Sequence, residues 1–422
     1  MRSLLPLIAV IGCYEAIEVE PTSPELVSTF QLTVTGDTED LEDRPRLEFG
    51  GDDSRTVNLS IQAFQPDGSP STEDWEVAVT TSAPCVQLEN TETGQFGQEI
   101  KATLSAGTAD LALQLHHIPG PLELWVTSKA RTEGGFAAAI STTLNYRNPS
   151  ILALQLLPVE RCEGLEGREL SNCQRNRIAH AALEGCAIEI DPGAGLVVTR
   201  VAGDGFNVTE RGRPVQDNSL FVYTYNAPDE VFLGAILDHL EGNATEFMGG
   251  TQLADTSYTL RRDDDGNALG LSVEQLGEEF PATELTAEDL NRSPSGNQRC
   301  RRINRDIPLN LSMERLEGGP VFIAGAEVAY EPDDYSLSSY LQYGQFNIAL
   351  GQGGDSRCIS LMARNVMPEF DPRLPGCSGQ SIPYIEGTLR GLFFEGSSTP
   401  AWVVEAYQLV VERPSPCLLE SP

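Results

Sequence analysis

Three aromatic side chains, Phe221, Tyr223 and Tyr225, occupy every second position of the stretch 219–226. Residues two apart on a β-strand point to the same side of the sheet, so we expect the three rings to share one side. A row of exposed rings can stack on bases or sugars. The same row can instead face a barrel interior or a neighbouring domain. The spacing therefore predicts either a ligand-stacking surface or a packing surface.

Histidine, the side chain that titrates nearest physiological pH, occurs only four times in the chain. The sequence contains no GxSxG, HExxH or phosphate-loop motif. Asp263, Asp265, Asn267 and Glu274 have the spacing of a calcium-binding loop, but Ala268 stands where that loop requires glycine. We therefore predict no catalytic site, no metal and no cofactor, and expect a non-enzymatic protein.

The chain has nine cysteines. Cys13 lies near the N-terminus, and the other eight are Cys85, Cys162, Cys173, Cys186, Cys300, Cys358, Cys377 and Cys417. An even number in an exported protein indicates up to four disulfides, and eight cysteines allow 105 pairings. Cys358 and Cys377 bracket one Pro-containing loop, so we predict that they pair. Cys85 has no partner in its own region and must pair across a domain boundary or stay free.

The N-terminus has the features of an export signal. Arg2 precedes an apolar run over 4–11 that is too short to span a membrane. The run ends in Val10-Ile11-Gly12-Cys13, which resembles the lipobox of bacterial lipoproteins. That resemblance implies a signal peptide over 1–12, lipidation of Cys13, and outer-membrane sorting because Tyr14 replaces the aspartate of the retention signal. The alternative is a plain signal peptide. The acidic stretch 13–25 is typical of a flexible tether.

The charge balance argues against nucleic-acid binding. The chain has 28 Lys+Arg and 62 Asp+Glu, for a formal net charge of −34, whereas proteins that bind phosphate backbones need a basic face. One arginine cluster could bind phosphates or an anionic polysaccharide, or could instead form ion pairs with nearby carboxylates. Its members are Arg292, Arg299, Arg301, Arg302 and Arg305.

Short alternating strands separated by Gly, Pro, Asn and Asp fill most of the chain. Seven or so strands over 26–148 predict a β-sandwich, and their spacing resembles that of bacterial immunoglobulin-like domains. The segment 149–190 contains cysteines and is polar, so we predict a connector that holds one short helix.

The segment 191–260 carries the most specific pattern. Phe221-Val222-Tyr223-Thr224, and then the stretch 246–252 (EFMGGTQ), resemble strands of the OB-fold domains that accompany the catalytic domain of secreted bacterial nucleases. The resemblance implies an OB-like barrel. No segment of this chain resembles the catalytic domain of those nucleases, so the resemblance does not imply nuclease activity.

The remaining segments complete a mainly β architecture. We predict a linker with a short helix and the arginine cluster over 261–318, a second OB-like barrel over 319–412, and a tail over 413–422. The fold expected is an immunoglobulin-like β-sandwich followed by two OB-like β-barrels.

These features favour a lipid-anchored protein of the outer membrane that acts as a binding or structural module. Its ligand would be a polysaccharide or an envelope protein. The alternative is capture of extracellular nucleic acid by the pair of OB-like barrels, which the fold favours and the charge opposes.

Overall fold

The computed structural model describes residues 29–40, 54–132, 135–155, 162, 164–178, 181–213, 218–247, 249–290, 311–330, 334–351, 357–391 and 402–419. The fold class predicted from the sequence is confirmed: a β-sandwich is followed by two β-barrels. Cys13, the segments 1–12 and 13–25, and the arginine cluster between Arg292 and Arg305 lie outside the described residues.

The sandwich packs a five-stranded sheet, in the order β1-β2-β7-β4-β5, against a four-stranded sheet, in the order β6-β3-β8-β9. The strands are β1 (Thr29–Gly36), β2 (Arg55–Phe64), β3 (Trp75–Thr81), β4 (Gln87–Asn90), β5 (Phe96–Gly97), β6 (Ile100–Leu104), β7 (Thr108–His116), β8 (Leu124–Thr132) and β9 (Gly135–Ile140). In β2, Val57, Leu59 and Ile61 are buried and the residues between them are exposed. This two-residue period is what a half-buried strand requires.

The connector holds two helices, α1 (Ile151–Gln155) and α2 (Gly167–Ile178). A disulfide between Cys162 and Cys173 clamps α2 to the residues before it. The sequence predicts one short helix in this connector, and the structure has two. The longer helix begins at Gly167 and ends at Ile178, and its polar sequence has no apolar period to reveal it.

The first barrel has the strand order of an OB-like fold. After a 3-10 turn (Pro192–Ala194), it is built from β11 (Leu196–Val201), β12 (Gly205–Glu210), β13 (Ser219–Tyr223), β14 (Leu237–Phe247) and β15 (Gly250–Leu260), with β10 (Ala187–Glu189) added at the edge of β14. β13 pairs parallel to β15, whereas the other paired strands are antiparallel. A bridge between Val197 and Ile236 joins β11 to the residues before β14 and closes the barrel.

The second barrel repeats this order. It follows α3 (Val273–Glu279), β16 (Thr283–Glu284) and a 3-10 helix (Leu311–Leu316), and contains β17 (Pro320–Val328), α4 (Asp334–Tyr343), β18 (Gln345–Leu350), β19 (Arg357–Met362), β20 (Ser381–Gly391) and β21 (Trp402–Val410). β19 pairs parallel to β21, and β17 closes the barrel against β20. β18 begins at Gln345, directly after the end of α4.

The predicted disulfide between Cys358 and Cys377 is wrong. Cys377 is bonded to Cys417, 40 residues later, and Cys358 is disulfide-bonded elsewhere. The C-terminal tail folds back along the loop that precedes Cys377, since Phe370 bridges to Leu418 and the Asp371 amide donates to the Cys417 carbonyl. Proximity in sequence therefore gave the wrong partner, because the tail reaches Cys377.

The sandwich and the first barrel share one hydrophobic core. Its buried residues run from Phe30 in β1 to Leu260 in β15. Cys85, in the loop between β3 and β4, is bonded across this boundary to Cys186, just before β10. The prediction that a bonded Cys85 must find its partner outside its own region is confirmed. Among the helices that the structure describes, none has the length and apolar character needed to span a membrane.

Candidate ligand-binding surface

The three aromatic residues predicted to form a row do lie together, but their exposure differs. Phe221 and Tyr223 are on β13, whereas Tyr225 follows the end of the strand with a φ of +64°. The ring centroids of Phe221 and Tyr223 are 6.5 Å apart, and those of Tyr223 and Tyr225 are 4.6 Å apart. Phe221 is 8% exposed, Tyr223 is half-buried and Tyr225 is 58% exposed. The available part of the row is therefore the Tyr223–Tyr225 pair.

Tyr225 is fixed by a carboxylate on a neighbouring strand. Its hydroxyl donates to Asp255 Oδ1 at 2.8 Å, and Asn243 Nδ2 donates to Asp255 Oδ2 at 3.2 Å. The hydrogen bond to Asp255 raises the pKa of Tyr225, so the hydroxyl stays protonated. Asp255 also has a positive φ, of +51°. Left-handed backbone is sparsely populated by residues other than glycine, so both members of this pair hold costly conformations.

A cleft of about 600 Å³ lies beside this pair, between the sandwich and the first barrel. Asp255 and Asn243 belong to its wall, so the Tyr225 hydroxyl bonds to a residue that lines it. The other lining residues include Ser82, Pro84, Pro119, Asn148, Glu189 and Glu241. His239 is within 3.3 Å of Glu189 and 3.5 Å of Glu241. The cleft has the volume of a small-molecule site and a wall rich in hydrogen-bonding groups.

The outer face of β12 and β13 is covered by other parts of the chain. Asn207 Nδ2 donates to the Gly318 carbonyl at 3.0 Å, and the Arg390 guanidinium lies 5.1 Å from the centre of the Phe221 ring. From the connector, Gln155 Nε2 donates to the Ser219 carbonyl at 2.7 Å. This face and its flanking loops are where OB barrels usually bind oligonucleotides and oligosaccharides. In this chain the face serves mainly as a contact between the two barrels.

An arginine–glutamate group joins the barrels at this contact. Glu405 of the second barrel pairs with Arg200 of the first barrel and with Arg390, the latter at 3.2 Å. Burial alone raises the pKa of Glu405, but the two guanidinium groups outweigh burial and hold it below its ordinary value. The space left at the contact is about 10 Å³, which is room for one water at most.

Three further carboxylates, those of Glu246, Glu314 and Glu317, are enclosed at the same contact. Glu317 accepts from the Thr251 amide at 3.0 Å and the Gly391 amide at 2.8 Å, so it links both barrels. Burial raises the pKa of Glu317 to about 7. Burial and neighbouring carboxylates also hold the pKa values of Glu246 and Glu314 well above the usual range.

Glu246 and Glu314 each leave one enclosed oxygen unpaired. Glu246 Oε2 and Glu314 Oε1 have no hydrogen-bond partner among the described residues. The backbone is equally close-packed, since a Cβ on Gly391 would lie 1.9 Å from the Gly249 carbonyl oxygen. The barrels are therefore locked together around partly protonated carboxylates.

Nothing in the described ranges brings three His, Cys, Asp or Glu side chains together in a way that could hold a metal ion. The acidic stretch that resembles a calcium loop is a turn. Asp263 Oδ1 accepts from the backbone amides of Asp265 and Asn267 at 3.0 and 2.8 Å. These bonds use the carboxylate that a calcium ion would need.

Sequence reasoning missed the residues that orient and cover the aromatic row. Asp255, Asn243 and Arg390 approach it from other strands and from the other barrel. Their separation from Phe221, by more than 20 residues in each case, leaves no local signal. The OB-like strand order was the one available clue, because it places β15 beside β13.

Comparison with known proteins adds little. No protein-family model matches the chain, and no curated protein matches it. Among solved structures, the chain is similar to AggA, the major subunit of aggregative adherence fimbriae type I from Escherichia coli. That match has 12% sequence identity and a TM-score of 0.18, and covers 30% of this chain and 99% of the subunit. With a TM-score this low, the match is not evidence for the fold or function of this chain.

Proposed function

We propose that this chain is a non-enzymatic, lipid-anchored protein of the outer membrane that binds a neutral polysaccharide. The binding surface consists of the Tyr223–Tyr225 pair and the adjoining cleft. One observation carries the proposal: Tyr225 is 58% exposed yet is held by Asp255, a residue of the cleft wall. Disulfides suit a protein that works in an oxidising compartment.

The chemistry of the surface suits a sugar. Exposed rings present flat apolar faces, which match the C–H faces of pyranose rings, and a ring that is already oriented loses little entropy on binding. Carboxylate and amide groups such as Asp255 and Asn243 can accept from and donate to sugar hydroxyls. A polysaccharide without charge is favoured because the chain carries a net charge of −34, which repels anionic polymers.

Capture of nucleic acid is the weaker alternative. The face of the first barrel that would carry the bases is occupied by the second barrel, and Phe221 lies beneath Arg390. A single-strand binder also needs a positively charged groove beside its stacking rings. An envelope protein remains the alternative partner for the same surface, and the binding experiment separates it from a glycan.

Replacing Tyr225 by glycine tests the proposal. The change removes the ring and also relieves the positive φ, so we expect the folded state to be retained. Affinity for a bound glycan should fall about tenfold, which corresponds to about 1.4 kcal/mol. The measurement is isothermal titration calorimetry of the full chain with maltohexaose, cellohexaose and hexa-N-acetylchitohexaose.

The matched control is Tyr343→Ala, which removes a 56% exposed tyrosine from α4. It should leave binding unchanged. Tyr225→Phe keeps the ring without the bond to Asp255, and should lose less affinity than Tyr225→Gly. The proposal is rejected if none of the three sugars binds, or if Tyr225→Gly binds as tightly as the original chain.

The anchor is tested separately through Cys13. Cys13→Ser removes the thiol that would carry the lipid, because a serine hydroxyl is not a substrate for thioether formation. We expect the protein to move from the membrane fraction to the soluble fraction of Gram-negative cells and to lose incorporation of radiolabelled palmitate. Membrane association that survives in Cys13→Ser, with no palmitate in the original chain, would show that the lipobox resemblance is misleading.

A further inference from the structure

The second barrel carries an aromatic group of its own, which we call the Glu386 cluster: Phe322, Tyr384, Glu386 and Tyr407. Its members come from β17, β20 and β21, which are neighbours in the closed barrel. No local pattern predicts this cluster, because Phe322 and Tyr407 are separated by 85 positions.

One carboxylate organises the cluster. Tyr384 donates to Glu386 Oε2 at 2.6 Å, and Tyr407 donates to Glu386 Oε1 at 2.9 Å. The Phe322 and Tyr384 rings are stacked, with centroids 5.9 Å apart and planes 25° apart. Burial and the bond to Glu386 raise the pKa of Tyr384 to about 12. Both hydroxyls therefore remain donors, and Glu386 fixes two rings at once.

The cluster is not part of the barrel core. The buried residues of the same three strands include Ile323, Ile385 and Val404, which belong to the core cluster of this barrel. Phe322 and Tyr384 are half-buried, and Tyr407 is 43% exposed. The rings therefore lie on the outside of the barrel, where a hydrogen-bonded carboxylate holds them in place.

The Glu386 cluster is connected to the Tyr223–Tyr225 pair. Glu405 lies two residues before Tyr407 on β21 and pairs with Arg390, which covers Phe221. Phe221 in turn contacts Tyr223. The two aromatic groups are thus linked through Arg390 and Glu405, which lie at the contact between the barrels. Each group has one exposed ring, Tyr225 in the first barrel and Tyr407 in the second.

We infer that the Glu386 cluster is a second sugar-stacking subsite, and that one linear polysaccharide engages it and the Tyr223–Tyr225 pair together. This inference rests on the proposed function. It adds that the ligand is an extended chain, because two platforms on barrels that contact each other gain from a ligand that reaches both. Joining two weak contacts in this way raises affinity without a new contact.

The test compares short and long forms of whichever of the three sugars binds. We expect a longer soluble oligomer to bind the original chain at least tenfold more tightly than the hexasaccharide. Tyr407→Ala should remove this gain, and Tyr407→Phe should retain most of it because the ring remains. Tyr343→Ala is again the control, and thermal unfolding of each variant checks that the fold persists.

The outcomes separate the two ideas. If Tyr225→Gly weakens binding but Tyr407→Ala leaves the affinity for the longer oligomer unchanged, the second subsite is rejected and the proposed function stands. If long and short sugars bind equally, the inference fails in the same way. If no sugar binds, or if neither variant alters the binding that is seen, both ideas are rejected.

Discussion

Replacing Glu314 by glutamine is expected to stabilise the protein at pH 8. The Glu314 side chain is 2% exposed, and its Oε1 has no hydrogen-bond partner in the described part of the chain. Glutamine has nearly the same shape but never ionises, so it avoids placing a second charge beside Glu317. Because glutamine is neutral in both the folded and the unfolded chain, it avoids the loss of stability that a raised carboxyl pKa causes as the pH rises, and we expect a gain on the order of 1 kcal/mol or more at about 1.4 kcal/mol per pKa unit.

The sign of the pH dependence follows from the raised pKa values. Below pH 4.5 these glutamates are protonated in both the folded and the unfolded chain, so their stabilising contribution is fully present. As the pH rises, the unfolded chain releases protons that the folded chain keeps, and stability falls. For Glu317, the rise from 4.5 to about 7 corresponds to roughly 3 kcal/mol, at about 1.4 kcal/mol per pH unit.

Urea unfolding at pH 5, 6.5 and 8 measures this effect. The free energy of unfolding of the original chain should fall across this range. The free energy of unfolding of Glu314→Gln should fall less steeply. Glu405 and Asp371 have lowered pKa values and stay ionised throughout. Glu278→Gln, at an exposed position on α3, is the control and should follow the original chain. A Glu314→Gln curve parallel to the original would mean that Glu314 is not enclosed in solution.

Removing the disulfide between the sandwich and the first barrel should cost about 4–5 kcal/mol. Cys85 and Cys186 are 101 residues apart. A cross-link that closes about 100 residues restricts the unfolded chain by about 4.7 kcal/mol. The variant Cys85→Ser/Cys186→Ser should therefore unfold at a much lower concentration of guanidinium chloride.

The control is the double variant Cys162→Ser/Cys173→Ser. This disulfide closes a separation of 11 residues, so its removal should cost about 3 kcal/mol, less than the longer cross-link. Equal losses in the two variants would show that loop entropy does not set the contribution of the boundary disulfide. In that case the stabilisation by the boundary disulfide would come from local packing around it, where the Cys85 amide lies 3.1 Å from Cys186 Sγ.

Much of the fold could be predicted from the sequence because a half-buried strand leaves a local pattern of alternating apolar and polar residues. Alternation in 57–63 and the aromatic strand at 219–223 follow directly from the two-residue period. The helices were harder to predict. α4 begins at Asp334 and ends at Tyr343, and its sequence has no clear apolar face, so no local pattern separates it from the strand that follows. α3 begins after Ser272, which forms a capping box with Gln275, so the start of this helix does have a local signal.

The site was only partly predictable because its surroundings are non-local. The spacing of Phe221, Tyr223 and Tyr225 correctly placed three rings in contact. It could not show that Phe221 would be covered, because Arg390 belongs to the other barrel. The Glu386 cluster depends on the register that sets Phe322 opposite Glu386 between β17 and β20. Such a register exists only once the barrel has closed.

The boundary disulfide also imposes an order of events on the growing chain. Synthesis supplies Cys85 well before Cys186, and between them come the rest of the sandwich and the connector, which contains Cys162 and Cys173. Cys85 must therefore stay without its native partner while two nearer cysteines appear. A premature bond from Cys85 to Cys162 or Cys173 would trap the chain before the first barrel forms. Efficient maturation then calls for a disulfide isomerase, or for an oxidant that acts only after the barrel is complete.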